Sequence, residues 1–391
     1  MHILLYSKAF FPAVGGLETV SLTLAEQITA AGHACTVVTE TVLNQAPPKA
    51  FPFPVARAPR PRERLTLVRA VDLVHSNGAS VALFPYAKLA RKPFIWTHQG
   101  YQMMSVDGLG WADDGPAPMN PMASLLFHTR RRGLRAGAVE AVKLGLRRAI
   151  GRFVDKNVAI TRWMAARQPL HNQIIIYNPF PLARFRQVAN FAGAQYDFLF
   201  VGRLVSEKGV RTLLRALGEM NRRPRRRPAT LLVVGDGEQR EALEQLAGAL
   251  GLGANVHFAG EKRGDDLVKA IAQGTVAVVP SEWEEPMGGV ALELLAAERP
   301  IIVSARGGLA ECVGDAGWTF PNGDYQALAA QMASLVDDET LRRSKSDVAR
   351  RVVASFEERM LVRQYLDLYE EILERRRSLR GRRLDPRRPP I

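Results

Sequence analysis

Only two cysteines, Cys35 and Cys312, occur in the 391 residues, far apart and in unlike surroundings. That argues against a disulfide framework and fits a reducing compartment. No uncharged apolar stretch is long enough to cross a bilayer. The opening MHILLYSKAFFP lacks both a basic n-region and a small-residue cleavage site, so it reads as a buried strand and not as a secretion signal. The expected location is the cytosol, free or attached peripherally to a membrane surface. Motifs of several chemistries are missing too. The histidines show no H-x-H or HExxH spacing, no D-x-D occurs, and no G-x-G-x-x-G follows a strand. A zinc site and a dinucleotide fingerprint are therefore unsupported.

Acid is the scarcer charge, with 39 Asp and Glu against 53 Lys and Arg, a net +14. Such a balance favours anionic partners: nucleic acid, phospholipid head groups or phosphorylated substrates. The excess is concentrated in three segments. Residues 130–152 carry Arg130, Arg131, Arg132, Arg135, Lys143, Arg147, Arg148 and Arg152 against the single acid Glu140. NRRPRRRP at 221–228 is the second cluster, and the tail RRRSLRGRRLDPRRPPI is the third.

What is present is a globular composition, 47% hydrophobic and 24% charged, in a chain longer than one core usually serves. Short apolar runs alternate with helical patterns throughout, which is the signature of parallel α/β architecture. HILLYS, ACTVVTE, DLVHSN, FIWTHQG, KNVAIT and QIIIYN read as strands of a first half. Leu17, Val20, Leu24 and Ile28 recur at helical spacing between the first two, making the opening unit βαβ. After Asn178-Pro179 the rhythm restarts with FLFVGRL, ATLLVVGDG, NVHFAG, VAVVPS, PIIVSA and GWTF. Helices are expected at Gly209–Met220, Glu238–Leu250 and Val290–Ala297. The prediction is two doubly wound domains with a cleft between them, over 1–180 and 181–356. An amphipathic helix follows over 357–376, with Leu361, Tyr365, Leu368, Tyr369 and Ile372 on one face. The basic stretch 377–391 has no apolar pattern and is expected to be disordered.

Three loops and one histidine carry candidate chemistry. In Val201-Gly202-Arg203-Leu204-Val205-Ser206-Glu207-Lys208-Gly209 a strand ends and a helix begins. Unsatisfied N–H groups at a helix start attract anions. Arg203 and Lys208 add a forked cation and a point charge, which together suit a diphosphate. A solvated loop with its basic residues in water is the alternative. In Pro280-Ser281-Glu282-Trp283-Glu284-Glu285-Pro286-Met287-Gly288-Gly289-Val290-Ala291-Leu292-Glu293, a strand passes through a loop into a helix. Glu285 and Glu293 can grip sugar hydroxyls through charge-assisted hydrogen bonds, and Met287-Gly288-Gly289 lets backbone approach a ligand. The plain alternative is an acidic loop and a helix surface charge, with Glu293 about two turns in. The pair Gly15-Gly16 opens the first helix, where a structural turn competes with anion binding. His98 ends a strand within THQG, at the carboxyl end where ligands of such sheets gather.

Together these motifs resemble the retaining glycosyltransferases of the GT-B fold, specifically the family-four group. The similarity runs from Met1 to about Glu374, through the early glycine pair, THQG, IIYNP, VGRLVSEKG, VVGDGEQR, NVHFAG, PSEWEEPMGGVALELLAAERPIIVS and GGLAECVGDAGW in order. The resemblance implies two Rossmann-like domains facing a cleft, with the C-terminal helix crossing back to the first. It implies that Arg203 and Lys208 clamp the donor diphosphate, Glu285 meets the donor sugar and Glu293 the ribose. Met287, Gly288 and Gly289 would run along the phosphates, with Gly15 and Gly16 facing them from the first domain. His98 would lie near the reacting carbon. A nucleotide-diphosphate sugar is the implied donor, with no cofactor, no metal, and retention of anomeric configuration by a same-face route. The acceptor stays unassigned, since Gly100–Pro121 matches no known pattern. Glu298 stands where the family often has glycine, so that turn is expected to differ. A nucleotide-sugar epimerase of the same fold is the nearest enzymatic alternative, and a basic membrane- or nucleic-acid-binding protein the non-enzymatic one. Nucleic acid is not expected, because the basic clusters lack interleaved aromatics. Arg130–Arg152 is instead compatible with an anionic membrane surface.

Overall fold

A computed structural model describes residues 1–13, 15–43, 50–112, 114–190, 194–224 and 226–383. The chain divides into two compact units. The first comprises Met1–Val106, His128–Phe180 and the C-terminal segment from Glu358, and the second comprises Asp107–Phe127 and Pro181–Glu357. Strands in chain order are β1 (His2–Ser7), β2 (Ala34–Thr39), β3 (Val55–Arg57), β4 (Leu73–Asn77), β5 (Phe94–His98), β6 (Trp111–Ala112), β7 (Gly115–Pro116), β8 (Lys156–Ala159), β9 (Gln173–Ile175), β10 (Tyr196–Val201), β11 (Leu231–Val234), β12 (Val256–Gly260), β13 (Gly274–Val279), β14 (Ile301–Ser304) and β15 (Trp318–Phe320).

The first unit holds a seven-stranded sheet in the order β3-β2-β1-β4-β5-β8-β9, parallel at each pairing. Its strands are continuous apolar runs because helices cover both faces. Leu4, Tyr6, Val74, Phe94 and Trp96 form one core under Val68 and Ala87. The order reverses between β1 and β4, which makes their carboxyl ends the switch point of this sheet. The helix Gly16–Ala30 follows β1, and the helix Leu134–Phe153 precedes β8.

The C-terminal helix, Glu358–Arg383, belongs to this unit. Leu361, Tyr365, Leu368, Tyr369 and Ile372 are buried as their spacing predicts. Tyr369 Oη lies 2.7 Å from His75 Nδ1, and His75 Nε2 lies 2.7 Å from Thr97 Oγ1. Arg376 donates to both oxygens of Asp155, at 2.8 and 3.0 Å. The helix continues through 377–383, so that part of the expected disordered tail is ordered. Residues 384–391 of that tail lie outside the described residues.

The second unit holds a six-stranded parallel sheet, β12-β11-β10-β13-β14-β15, with its reversal between β10 and β13. Phe198, Phe200, Leu213, Leu217, Leu231 and Met332 are central to its core. One stretch departs from the sequence expectation. Asp107–Phe127, expected within the first domain, clusters with the second unit. Its β6 and β7 form an antiparallel hairpin, and Trp111 Nε1 donates to Ser206 Oγ at 2.9 Å. The strands are too short for a periodic signal, which is why they were not legible.

Candidate functional site

The loops after β10 and β13 leave adjacent strands at the reversal of the second sheet, the place where ligands of such sheets bind. Gly209 adopts φ 68° and opens the helix Val210–Asn221. A Cβ on it would collide with the Pro280 carbonyl, so the two loops meet only because this residue has no side chain. Across the seam, Glu282 N donates to Glu207 O at 2.9 Å and Thr212 Oγ1 donates to Glu282 Oε1 at 2.6 Å.

At the centre Lys208 Nζ donates to Glu285 Oε1 at 2.7 Å, with the side chains 17% and 5% exposed. Ser281 Oγ donates to the same oxygen. The Glu285 backbone is fixed from the other side, its carbonyl accepting from Gly308 N at 2.6 Å. Gly307 (φ 109°) permits this approach, since a Cβ there would lie 2.8 Å from Glu285 N. A largely buried, hydrogen-bonded ion pair is thus held by two loops and a third backbone segment. Arg203 is different. Its side chain is 73% exposed and only 3.8 Å from Glu207, a surface pair of small worth that leaves the guanidinium able to turn toward an anion.

Glu293 is the fifth residue of the helix Gly289–Ala296, one turn in and not two. It lies 3.8 Å from Arg184 and keeps 16% side-chain exposure. Burial pushes its carboxyl up to about 7, against the pull of Arg184. Met287 is buried. A Cβ on Gly288 would lie 2.7 Å from Leu309 Cδ1 and 3.1 Å from its Cα, so packing alone accounts for that glycine. Glu298 takes φ 53°, the left-handed conformation that glycine adopts freely, so the turn keeps that geometry with glutamate in place.

In the first unit, Gly15 is the residue before the helix Gly16–Ala30. Among the described residues a Cβ on Gly16 would meet nothing within 4 Å, and the nearest atoms to one on Gly15 are those of the Glu18 carboxylate, at 2.6 Å. Neither glycine is demanded by packing, so this helix start has room beside it. His98 is 1% exposed at the end of β5, with Nε2 2.9 Å from Asn157 Oδ1. Burial, opposed by that hydrogen bond, holds the ring down to about 4, so it is neutral at pH 7.

Sequence reasoning passed over a hydrogen-bonded chain at this first switch point. Ser21 Oγ donates to Ser7 Oγ at 2.8 Å, Asn77 Nδ2 to Ser21 Oγ at 2.8 Å, and Gln99 Nε2 to Asn77 Oδ1 at 2.6 Å. Gln99 and Asn178 then pair through their amides, at 2.7 and 2.9 Å. A polar residue ending each central strand was the available signal. Also passed over were Ser281, Glu282 and Trp111. A pocket of about 50 Å³ beside Trp111, Ser206 and Glu282 is well below the size of a small-molecule site. The sequence also holds three adjacent aspartate pairs, Asp113-Asp114, Asp265-Asp266 and Asp337-Asp338. Asp265-Asp266 lies in the first turn of a helix and Asp338 caps another, while Asp113 lies outside the described residues.

Comparison with known proteins adds the following. Residues 183–352 match the model of glycosyl transferases group 1, and residues 14–169 match that of glycosyltransferase family 4. An uncharacterized glycosyltransferase of Methanocaldococcus jannaschii is 40% identical over 129 residues, 33% of this chain. The match spans about a third, 32%, of that relative's length. A 2-deoxystreptamine N-acetyl-D-glucosaminyltransferase of Streptomyces fradiae is 29% identical over 410 aligned positions, covering 96% of this chain and 93% of its own. Among solved structures, Anabaena HepE in complex with UDP superposes with a TM-score of 0.71 at 18% identity, over 95% of this chain and 100% of that one.

Proposed function

The chain belongs to the group 1 glycosyltransferases and has their GT-B fold, and from this premise we propose that it transfers a hexosyl group from a nucleotide-diphosphate sugar to an acceptor with retention of configuration. The observation that carries this reading is the Lys208–Glu285 pair, fixed at 2.7 Å where the order of the second sheet reverses. A lone buried cation beside a carboxylate would be an ordinary ion pair. Here it stands at the carboxyl ends of the strands where the order reverses, with Arg203 exposed beside it and Glu293 on the helix that follows the same loop.

Transfer breaks the bond between the anomeric carbon and the diphosphate oxygen, so negative charge grows on the leaving group. Lys208 is preorganised to meet that charge, and Arg203 closes on the same phosphates. The cations supply the neutralisation that a metal ion provides elsewhere, so the reaction is proposed to need none. As Lys208 turns to phosphate, Glu285 Oε1 keeps the Ser281 hydroxyl and accepts from a donor-sugar hydroxyl. Glu293 accepts from the ribose. The acceptor hydroxyl oxygen then bonds the anomeric carbon of the oxocarbenium-like transition state on the face the leaving group departs from, and its proton passes to the departing diphosphate oxygen. His98, held neutral, serves as a hydrogen-bonding group near the sugar and not as a proton donor. Met287, Gly288 and Gly289 are proposed to run along the phosphates. UDP in the HepE complex makes uridine the first base to try.

The test is a thermal-shift screen against UDP-, GDP- and ADP-sugars, followed by turnover with and without EDTA. A true donor stabilises the fold by mass action, and turnover survives chelation. No shift with any donor contradicts the binding reading, and a loss of turnover restored by magnesium contradicts the metal-free one. The peripheral attachment expected of Arg130–Arg152 is part of this proposal and is developed next.

A further inference from the structure

The three basic clusters are put to different uses. In the second, Arg227 makes a two-pronged pair with Asp197, both contacts at 2.7 Å. In the third, Arg376 is locked onto Asp155. The first cluster lies largely on the helix Leu134–Phe153, which is unusual for where its apolar side chains go.

Gly137, Leu144, Ile150 and Gly151 are buried; the spacing of seven puts Gly137, Leu144 and Gly151 on one face, while Ile150 is covered at the edge of the other face near the helix end. The glycines allow close seating, Gly137 against Thr129 and Gly151 against Met103. Val139, Val142, Leu146 and Phe153 follow one another at spacings of three, four and seven, which places them on the opposite face. That face is open: Val142 is 70% exposed and Phe153 65%, with Val139 and Leu146 above half. Leu134, at the helix start, is 83% exposed. A helix on a water-facing surface presents charge outward and apolar groups inward. This one does both jobs with apolar groups, and exposed Arg135, Lys143 and Arg152 accompany the outer stripe, while Arg148 turns inward to donate to Met103 O at 2.8 Å. Glu140, the single acid, is engaged by Lys143 at 2.9 Å.

We propose that the outer face of the helix Leu134–Phe153 inserts into an anionic phospholipid bilayer, with Val139, Val142, Leu146 and Phe153 among the acyl chains and the flanking cations on the head groups. Charge selects the occupant. A second copy of this chain would bring another basic face against this one, whereas a leaflet of anionic lipid supplies both the negative charge and the hydrocarbon that the stripe lacks. This goes beyond electrostatic attachment, because it assigns the apolar side chains a place below the head groups. It stands whether or not the donor reading does.

The full chain is tested as it is, against vesicles of phosphatidylcholine alone and of equimolar phosphatidylcholine and phosphatidylglycerol. Wild type should pellet with the anionic vesicles and not with the neutral ones. Val142→Ser with Leu146→Ser should weaken that binding by about tenfold or more, while the melting temperature stays within a few degrees because both positions are exposed. Val142→Trp should gain a blue-shifted emission that chain-brominated lipid quenches. Bound Val142→Trp protein with no extra quenching contradicts insertion and leaves only surface attraction. Equal pelleting with neutral vesicles contradicts the choice of an anionic bilayer. A lipid-free dimer abolished by the double serine variant, with no vesicle binding, assigns the face to a second copy and overturns the proposal.

Discussion

The two units share a strand scheme and differ in what they place at its reversal. In each sheet three strands run outward on one side of the reversal and the rest on the other. At the first reversal stand neutral groups, the chain Ser7–Ser21–Asn77–Gln99–Asn178, with His98 neutral beside it. At the second stand Lys208, Glu285 and Glu282, tied across two loops. Topology therefore chooses where a ligand sits, and the side chains ending the strands choose which ligand. A neutral network can orient hydroxyls, while a preformed cation can stabilise a departing diphosphate.

Changes at the charged reversal should disturb chemistry most. Glu285→Gln removes the negative charge that pairs with Lys208 and turns the proposed charged acceptor of a sugar hydroxyl into a neutral one, and turnover should fall by about 100-fold or more. Near wild-type turnover, measured as nucleotide release with saturating donor, would erase the difference between the units. At the neutral reversal the same kind of change should act on folding. Asn77→Ala removes one hydrogen bond from Ser21, which keeps Ser7, and one from Gln99, which keeps Asn178, and should cost about 2 kcal/mol in chemical denaturation, with donor affinity in the second unit unchanged. A parallel loss of donor affinity would show that the neutral network serves the donor too.

Glu293 offers a subtler comparison, through pH. Its folded carboxyl titrates at about 7, above its ordinary range, so folding loses stability as pH rises through that range and the carboxylate is forced to ionise in the fold. Glu293→Gln should abolish that loss, and denaturant midpoints at about pH 5 and about pH 8 should then differ less than in wild type. His98 and His75 act with the opposite sign. Burial lowers them to about 4 and about 3, so their contribution is complete above their ordinary range and fades as pH falls below it. The smallest effect is expected away from both reversals. Glu298→Gly relieves a left-handed turn and loses only the exposed Arg350 contact of 3.1 Å, for a net gain of about 0.5 kcal/mol by calorimetric melting.

The sequence made the sheets legible because apolar runs of strand length between helical patterns leave few other architectures. Arg203, Lys208, Glu285 and Glu293 stood out as candidates because turn glycines and strand ends surround them. What it hid is pairing at long range. That Lys208 and Glu285 share one contact depends on β10 and β13 being neighbours, and that Trp111 reaches Ser206 depends on a hairpin of two-residue strands. That Arg130–Arg152 could lie on a lipid surface was legible, but which of its apolar residues face outward was not: Val139, Val142 and Leu146 are exposed while Ile150 is buried.

The claim that the charged reversal holds the donor diphosphate is tested most directly by calorimetric titration of UDP, GDP and ADP into wild type and into the double variant Arg203→Ala, Lys208→Ala. The expected result is measurable affinity for one nucleotide in wild type and its loss in the folded double variant. Unchanged affinity in a variant that retains its melting transition would contradict the account.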